Sequence, residues 1–240
     1  MSRKVFFSLF FTSGVFICGR AGFWQLRRKK WKEDLLETRS KHLGDAPMQV
    51  SFPLQESDLN FRPAEIKGRF DHSKEMLLMR KHGELSGYRV ITPLFVKKDT
   101  GILVNRGWIP LEYKELGTRQ ERNEEVLVSG VIREGESPGK FTPPNNPLFK
   151  EWYFIDLDGM SSHSGLSNPE SKQYLIQEIN WERQRELNEE EDFYELPVRS
   201  VKNELMHWYV MPYTHASYAA FWFATSAICL VFNIIVLKKL

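Results

Sequence analysis

The sequence predicts a membrane protein in which two transmembrane α-helices flank a β-rich α+β domain with a mainly antiparallel sheet. Three observations lead to this fold class. An apolar stretch lies near each end of the chain, most of the charged residues lie between the two stretches, and the segment between them alternates as β-strands do. The boundaries that we predict are 5–26 for the first span, 27–207 for the water-soluble domain and 210–237 for the second span.

The first apolar stretch covers residues 5–26. A helix of this length reaches about 33 Å, which is close to the thickness of the hydrocarbon core of a bilayer. Arg20 interrupts the stretch, and we place it in the last turns, where its guanidinium reaches the headgroups, with Trp24 as an interfacial aromatic residue. A cleaved secretory signal is the alternative, but the basic cluster at 27–32 is typical of a stop-transfer flank.

The second apolar stretch covers residues 210–237, and its part 216–237 carries no charge. Such a length of uncharged sequence exceeds what a buried helix of a water-soluble protein needs. Two spans place both termini on the same side of the membrane. The basic cluster at 27–32 favours the cytoplasmic or matrix side for the domain between the spans.

Between the spans, short stretches rich in β-branched and aromatic residues predict strands. Residues 88–96 and 101–109 flank a turn-forming sequence and predict a β-hairpin. Because no long helix separates the strands, we expect an antiparallel sheet. A short helix is predicted over 155–162, and the charged segment 182–192 is interpreted as a solvated insertion. The other strands are predicted over residues 65–70, 75–80, 126–132 and 174–179.

Composition and motifs argue against several kinds of function. Both cysteines, Cys18 and Cys229, lie in the apolar stretches, so the domain between them has no thiol for a disulfide, a metal site or a nucleophile. A net charge of +2 gives no basic field of the kind that nucleic-acid-binding proteins carry. The sequence also contains no GxSxG elbow, P-loop, HExxH helix or dinucleotide fingerprint. We therefore expect no catalytic residues and no metal site.

Three residues are candidates for binding a cofactor. His207, like His215, lies near the start of the second span, where a neutral imidazole is able to ligate a haem iron; an interfacial polar residue is the alternative. Arg106 ends a strand, and its guanidinium suits a haem propionate or an acidic partner residue, unless it pairs within the domain. Trp24 is the third candidate. The remaining histidines, His72 among them, are interpreted as surface or turn residues.

Several short motifs follow one another along nearly the whole chain. They are Gly22-Phe23-Trp24-Gln25 with the basic run at 28–32, Phe61-Arg62-Pro63, the segment 66–75 (IKGRFDHSKE), the strands 87–94 and 102–110, Pro144-Asn145-Asn146-Pro147 with Trp152-Tyr153, and Asn203-Glu204 before the second span. In this order they resemble the Surfeit locus protein 1 family, the cytochrome c oxidase assembly factors.

The resemblance implies an assembly protein of the mitochondrial inner membrane rather than an enzyme. It implies that the chain aids insertion of haem A into the largest oxidase subunit, or stabilises that subunit, by binding. The implied partners are the largest oxidase subunit, other assembly factors and membrane lipid, with haem A as the cofactor and no nucleic acid. The family places the domain in the intermembrane space, against the charge count, and the basic cluster would then contact anionic lipid headgroups.

Two alternatives stand beside this interpretation. One is a structural tether of oxidase assembly intermediates that binds no haem. The other is a membrane-anchored enzyme with an unrecognised site, for which His163, Asp156 and Asp158 are the polar residues to consider.

One position departs from the pattern of the family. The family has a histidine directly after the Asn-x pair that opens the second span, where it is a proposed haem ligand, but this chain has Leu205 there, and Pro212 replaces an expected tryptophan. The nearest histidine is His207. A shift of two residues turns a side chain by about 200° around a helix, so His207 can take over the role only if the segment is not helical.

Overall fold

The computed structural model describes residues 3–54, 58–115, 121–183, 195–208 and 210–239. The chain divides into a helical unit, Met1–Arg39 with Met206–Leu240, and a β-rich unit, Ser40–Leu205. The helices and strands are α1 (Arg3–His42), β1 (Met48–Gln49), β2 (Pro63–Phe70), β3 (Met76–His82), β4 (Leu85–Lys97), β5 (Thr100–Pro110), β6 (Glu125–Glu134), α2 (Leu157–Ser164), β7 (Tyr174–Asn180), β8 (Ser200–Val201) and α3 (Pro212–Lys239).

The helical unit contains two helices that are long and apolar enough to cross a membrane. α1 continues without a break through the basic stretch that follows the predicted span. α3 begins at Pro212, a position where the missing N–H of proline removes no intrahelical hydrogen bond. Two candidate membrane helices with a β-rich domain between them in the sequence are therefore confirmed, and the membrane crossing itself rests on length and composition.

The two helices pack against each other in antiparallel fashion through small and polar residues. A Cβ on Gly22 would meet the ring of Phe223 at 2.7 Å, so the absence of a side chain lets the helices approach. Further along, Ser226 Oγ donates a hydrogen bond to the carbonyl oxygen of Val15 at 2.9 Å. In lipid, the hydrophobic effect does not drive helices together, because the lipid tails are as apolar as the side chains. Close packing at small residues and interhelical hydrogen bonds hold the helices together instead.

The β-rich unit is a closed barrel. Its strands follow one another in the order β2, β6, β7, β5 and β4, and β4 pairs again with β2. The closing contact consists of the pairs Arg69–Phe95 and Phe70–Leu94. β1, β3 and β8 extend the sheet beside β2, β4 and β7.

The expectation of a mainly antiparallel sheet needs correction, because the sheet is mixed. β7 lies between β6 and β5, antiparallel to the first and parallel to the second, and the pairs β1–β2 and β7–β8 are also parallel. A parallel pair needs a long crossover connection. Residues 111–173 provide that crossover between β5 and β7, so that β7 enters the sheet beside β5 rather than at an edge.

The local predictions agree well with the strands. Segments 65–70, 88–96, 101–109, 126–132 and 174–179 lie within β2, β4, β5, β6 and β7, and β4 and β5 form the expected hairpin. The remaining segment, 75–80, overlaps β3. The predicted insertion at 182–192 falls mostly outside the described residues, which resume at 195.

The predicted short helix begins two residues later than expected, because Asp156 caps it. The Asp156 carboxylate accepts a hydrogen bond from the Gly159 N–H at 3.2 Å, as side chains at the N-cap position do. Gly165 ends the helix with a φ of +78°, a conformation that glycine adopts without strain.

Hydrophobic side chains fill both faces of the central strand β5. Ile102 and Val104 pack on one face with Ile66, Leu94 and Val128, among others. Leu103 points to the opposite face, because successive side chains of a strand alternate. There it packs with a second cluster that α2 covers, which includes Trp152, Leu157 and Met160. β5 is therefore buried on both sides, and this burial fixes the position of the residues at its end.

Gly107 in β5 leaves no room for a side chain. Its φ is +131°, and a Cβ there would meet the carbonyl oxygen of Val198 at 2.1 Å. We expect Gly107→Ala to lower the free energy of unfolding by about 3 kcal/mol or more, because backbone strain and a steric clash add. The shift of the thermal unfolding midpoint of the full chain in detergent, followed by circular dichroism, measures this loss.

Gly83→Ala is the matched control for this substitution. Gly83 also has a positive φ, +57°, but no atom lies within 4 Å of the added Cβ. A loss of only about 1 kcal/mol is expected from the left-handed conformation alone. Equal losses in the two variants would contradict the close approach of Val198 to Gly107.

Candidate functional site

A β-bulge in β5 places Arg106. Val90 of β4 pairs with Gly107, and the next residue, Ile91, pairs with Asn105, so Arg106 is the extra residue of the bulge. Bulges redirect the side chain of the extra residue and are common beside functional sites. The Asn105 side chain accepts a hydrogen bond from the Gly107 N–H at 3.2 Å, which stabilises the turn of the backbone. The order Asn-Arg-Gly is therefore the local sequence that this bulge needs.

Arg106 lies in a buried charged cluster. Its side chain is 3% exposed, its Nη1 is 3.2 Å from Nδ1 of His72, and the same nitrogen is 3.7 Å from Oε2 of Glu75. The guanidinium also lies over the ring of Phe70, 5.1 Å from its centroid. The sequence left open whether Arg106 binds an external acidic group or pairs within the domain. These contacts are pairing within the domain.

The hydrogen bonds of His72 assign its tautomer. A guanidinium only donates, so Nδ1 of His72 accepts the hydrogen bond from Arg106. Nε2 then carries the proton and donates a hydrogen bond to the carbonyl oxygen of Arg122 at 3.2 Å. His72 is 7% exposed and lies on a turn, so of the predicted surface or turn position the turn is correct and the surface is wrong. Its ring therefore connects Arg106 of β5 to the segment that carries Arg122.

Asp71 holds the turn on which His72 lies. Its carboxylate accepts hydrogen bonds from the Ser73 N–H at 3.1 Å and from the Ser73 hydroxyl at 2.5 Å, and Nζ of Lys74 lies 3.4 Å away. Burial acts to raise the pKa of Asp71, but the hydrogen bonds and the charge of Lys74 outweigh it and hold the pKa below its ordinary value. Asp71 is therefore ionised at neutral pH and keeps the turn closed.

A second ion pair, with a buried carboxylate and a half-buried guanidinium, lies against the same Phe70 ring. Arg122 donates two hydrogen bonds to the carboxylate of Glu178, at 3.0 and 2.6 Å, and Arg199 lies 3.9 Å from the same group. Arg122 also lies over the ring of Phe70, 4.9 Å from its centroid. A cavity of about 90 Å³ is lined by these arginines, Glu178 and Arg106. It has room for a few water molecules or a small anion and not for a porphyrin.

The cluster joins two motifs that lie far apart in the sequence. His72 and Glu75 belong to the segment 66–75, and Arg106 belongs to the strand motif at 102–110. His72 and Glu75 also line a surface depression of about 670 Å³, whose other side is formed by residues 149–153. The sequence identified both motifs, but it gave no signal that they meet, because that contact depends on the pairing of β3, β4 and β5.

The helical unit contains its own buried polar pair. Gln25 Oε1 and His215 Nδ1 lie 2.6 Å apart, and the two residues are 9% and 8% exposed. An amide oxygen only accepts, so Nδ1 of His215 carries the proton. Its Nε2 is enclosed and has no hydrogen-bond partner among the described residues. The Gln of the Gly-x-Trp-Gln motif therefore serves to bind the two helices together.

The structure places the three predicted cofactor residues in different units. Arg106 belongs to the β-rich unit, whereas Trp24, which is 51% exposed, and His207 belong to the helical unit. His207 is exposed and lies beyond the end of a 3₁₀-helix, Lys202–Met206, in irregular backbone. The rotation that a helix would impose on the His207 side chain therefore does not apply there.

The position of Arg106 does not favour contact with a haem. Its guanidinium is enclosed and already lies beside the carboxylate of Glu75, so it does not present itself to a propionate at the surface. Binding of haem through His207, Arg106 and Trp24 stays a prediction.

The three polar residues considered for an enzymatic site form a helix cap, an ion pair and a ring contact. Asp156 caps α2, and Asp158 forms an exposed ion pair with Lys172 at 2.7 Å. The His163 ring lies edge-on to Trp152, with 5.6 Å between the centroids. Among the residues that the structure describes, no three His, Cys, Asp or Glu side chains form a group suited to a metal ion.

Comparison with known proteins gives one consistent family. The SURF1 family model matches residues 13–227. Surfeit locus protein 1 of Rattus norvegicus is 37% identical over 164 residues, 60% of this chain and 53% of that protein. The protein of the same name from Homo sapiens is 35% identical over 165 residues, which cover 60% of this chain and 55% of that protein. The Arabidopsis thaliana protein is 28% identical over 272 residues, which cover 91% of this chain and 74% of that protein. The chain spans about half the length of the Rattus norvegicus and Homo sapiens proteins.

The pairing of Arg106 with Glu75 predicts a large effect of removing the arginine. Arg106→Met removes the cation that lies 3.7 Å from the buried carboxylate of Glu75, and a loss of about 3–5 kcal/mol in the free energy of unfolding is expected. Adding Glu75→Gln should restore part of this loss, because it removes the uncompensated charge. Thermal and denaturant unfolding of the full chain in detergent measure both effects.

Lys67→Met is the control for this prediction. Lys67 and Glu125 form an ion pair of 2.9 Å across β2 and β6, but both side chains are mostly exposed. An exposed pair contributes less than about 1 kcal/mol. If Arg106→Met destabilised the protein no more than Lys67→Met, or if Glu75→Gln gave no recovery, the cluster would not be held by this charge pair.

Proposed function

This chain belongs to the SURF1 family, and from that premise we propose that it is an assembly factor for cytochrome c oxidase that acts by binding. One observation carries the proposal: the family match extends from within α1 to within α3 and includes the whole β-rich unit. The motifs that suggested oxidase assembly lie within the matched residues. They form the bulge at Arg106, its partners His72 and Glu75, and the helix contact at Gln25.

The proposed location is the mitochondrial inner membrane. α1 and α3 would be the two spans, and the β-rich unit would lie in the intermembrane space. The length of the helices supports a membrane location, as does the way in which they pack, with a glycine against Phe223 and polar side chains that hydrogen-bond across the interface. The side on which the domain lies is inferred from the family.

An exposed apolar loop supports a role in binding another protein. Phe141, Leu148 and Phe149 are 91%, 92% and 74% exposed, and Phe149 borders the depression that His72 and Glu75 line. A concentration of large exposed apolar side chains is typical of an interaction surface. We take this loop as the contact for the largest oxidase subunit or for another assembly factor.

Depletion of the protein tests the proposed function. Loss of the chain should lower the amount of assembled cytochrome c oxidase on native gels and leave the other respiratory complexes in place. Re-expression of the variant F141S/L148S/F149S should restore less oxidase than the unchanged chain. The variant V96S/L111S/L127S removes three other exposed apolar side chains of the β-rich unit and should restore it fully. Normal oxidase levels after complete depletion would reject the proposal.

The proposal includes contact of this chain with haem A. The alternative is a structural tether of oxidase assembly intermediates that binds no haem. His207 is the residue for which the structure gives support, since its imidazole is exposed and outside a helix. Protein purified from cells that make haem A should then show a Soret band. His207→Ala should remove the band, and His163→Ala, which changes an exposed histidine of the other unit, should leave it. A colourless preparation would favour the tether.

A further inference from the structure

An open groove runs along one side of the helical unit. Its volume is about 1090 Å³, and both helices line it. Phe16, Phe23 and Phe223 form its apolar part, and Gly19 leaves space in its floor. A Cβ on Gly19 would meet only Ser226 Oγ, at 3.6 Å. The apolar part therefore has the chemistry of a site for a hydrocarbon chain.

Three basic residues line the same groove, and no acidic residue does. They are Arg20, Arg27 and Lys30. In a helix, residues seven positions apart lie about 20° from each other around the axis and about 10 Å apart along it. Arg20 and Arg27 therefore lie in one row beside the apolar part of the groove. A ligand that complements this surface has an apolar chain and an anionic group.

Most of the neighbouring basic residues of α1 already have partners within the helical unit. Arg20 and Arg27 differ: neither forms an ion pair or a hydrogen bond with any residue that the structure describes. The partnered residues are Lys29 with Glu33 at 3.0 Å, Lys30 with Asp34 at 3.3 Å, Arg28 over Trp31 at 4.2 Å and Lys32 with the Val210 carbonyl oxygen at 2.6 Å.

The depth of Arg20 makes a partner necessary. Arg20 lies six residues before the end of the predicted span, which is about 9 Å along the helix. A charged side chain in the hydrocarbon region costs at least about 2.5 kcal/mol at the centre, and it is tolerated near an end when it reaches a headgroup or an opposite charge. No carboxylate lines the groove, so a lipid phosphate is the anionic group that suits this position.

We propose that this groove binds one acidic phospholipid, with its phosphate held by Arg20 and Arg27 and an acyl chain lying along the three phenylalanines. A guanidinium presents two parallel N–H groups to phosphate oxygens, which makes arginine well suited to this contact. A zwitterionic lipid brings its own cation close to the arginines, whereas an acidic lipid such as phosphatidylglycerol does not. The proposal rests on the membrane location proposed above and adds a specific lipid site to it.

Spin-labelled lipids test the site in the full chain. The protein is reconstituted into phosphatidylcholine nanodiscs that contain either spin-labelled phosphatidylglycerol or spin-labelled phosphatidylcholine. Electron paramagnetic resonance then gives the immobilised fraction of each lipid and hence their relative association constants. The unchanged chain should prefer phosphatidylglycerol. R20Q/R27Q should lose at least about fivefold of this preference, the contribution of one basic side chain at a membrane surface.

Three further variants separate a built site from general charge. R28Q/K29Q removes two charges from the same part of α1, outside the groove, and should keep the preference. R20K/R27K keeps the charge and should keep most of it. Gly19→Leu fills the floor of the groove without a change in charge and should weaken the retention of phosphatidylglycerol.

The outcomes distinguish this proposal from the membrane location on which it rests. Equal immobilisation of the two lipids by the unchanged chain would overturn the lipid site while leaving the location intact. An equal loss of preference in R20Q/R27Q and R28Q/K29Q would also overturn it, because diffuse charge would then explain the preference. If neither lipid showed an immobilised fraction, the helices would not lie in the bilayer, and the location would fail together with the site.

Discussion

A charged group that is removed from water needs an opposite charge or a hydrogen bond, and this requirement organises both units of the protein. In the β-rich unit, Arg106 is turned inward by a bulge and lies beside Glu75 and His72. Arg122, which lies over the same Phe70 ring as Arg106, pairs with Glu178. Without these pairs the enclosed charges would destabilise the barrel, so the bulge and its partners depend on one another.

The same requirement gives a different result in the helical unit. Gln25 and His215 satisfy each other across the two helices, but Arg20 and Arg27 have no partner among the described residues and border an apolar groove. In the β-rich unit charge is used to hold strands together, whereas at the groove it is left available. This contrast is the reason to look for an external anion at the helices and for an apolar contact on the barrel.

These features suit a protein that works by contact. The barrel presents exposed apolar side chains near a depression that is bordered by the buried cluster, and the helices present a groove with free cations. His207, exposed and outside a helix, remains the residue through which a haem contact would run. Leu205, the position at which the resemblance predicts a histidine, is 4% exposed and contributes to the packing of the domain instead.

The sequence by itself determined the two apolar helices, the β4–β5 hairpin, the other main strands and the motifs of the family, because each depends on residues close together in the chain. Only the tertiary structure decided that the sheet closes into a mixed barrel, since the place of β7 depends on the crossover at residues 111–173. It also decided that His72 is buried and that Arg106 pairs internally. Those contacts join residues more than 30 positions apart, and no local pattern encodes them.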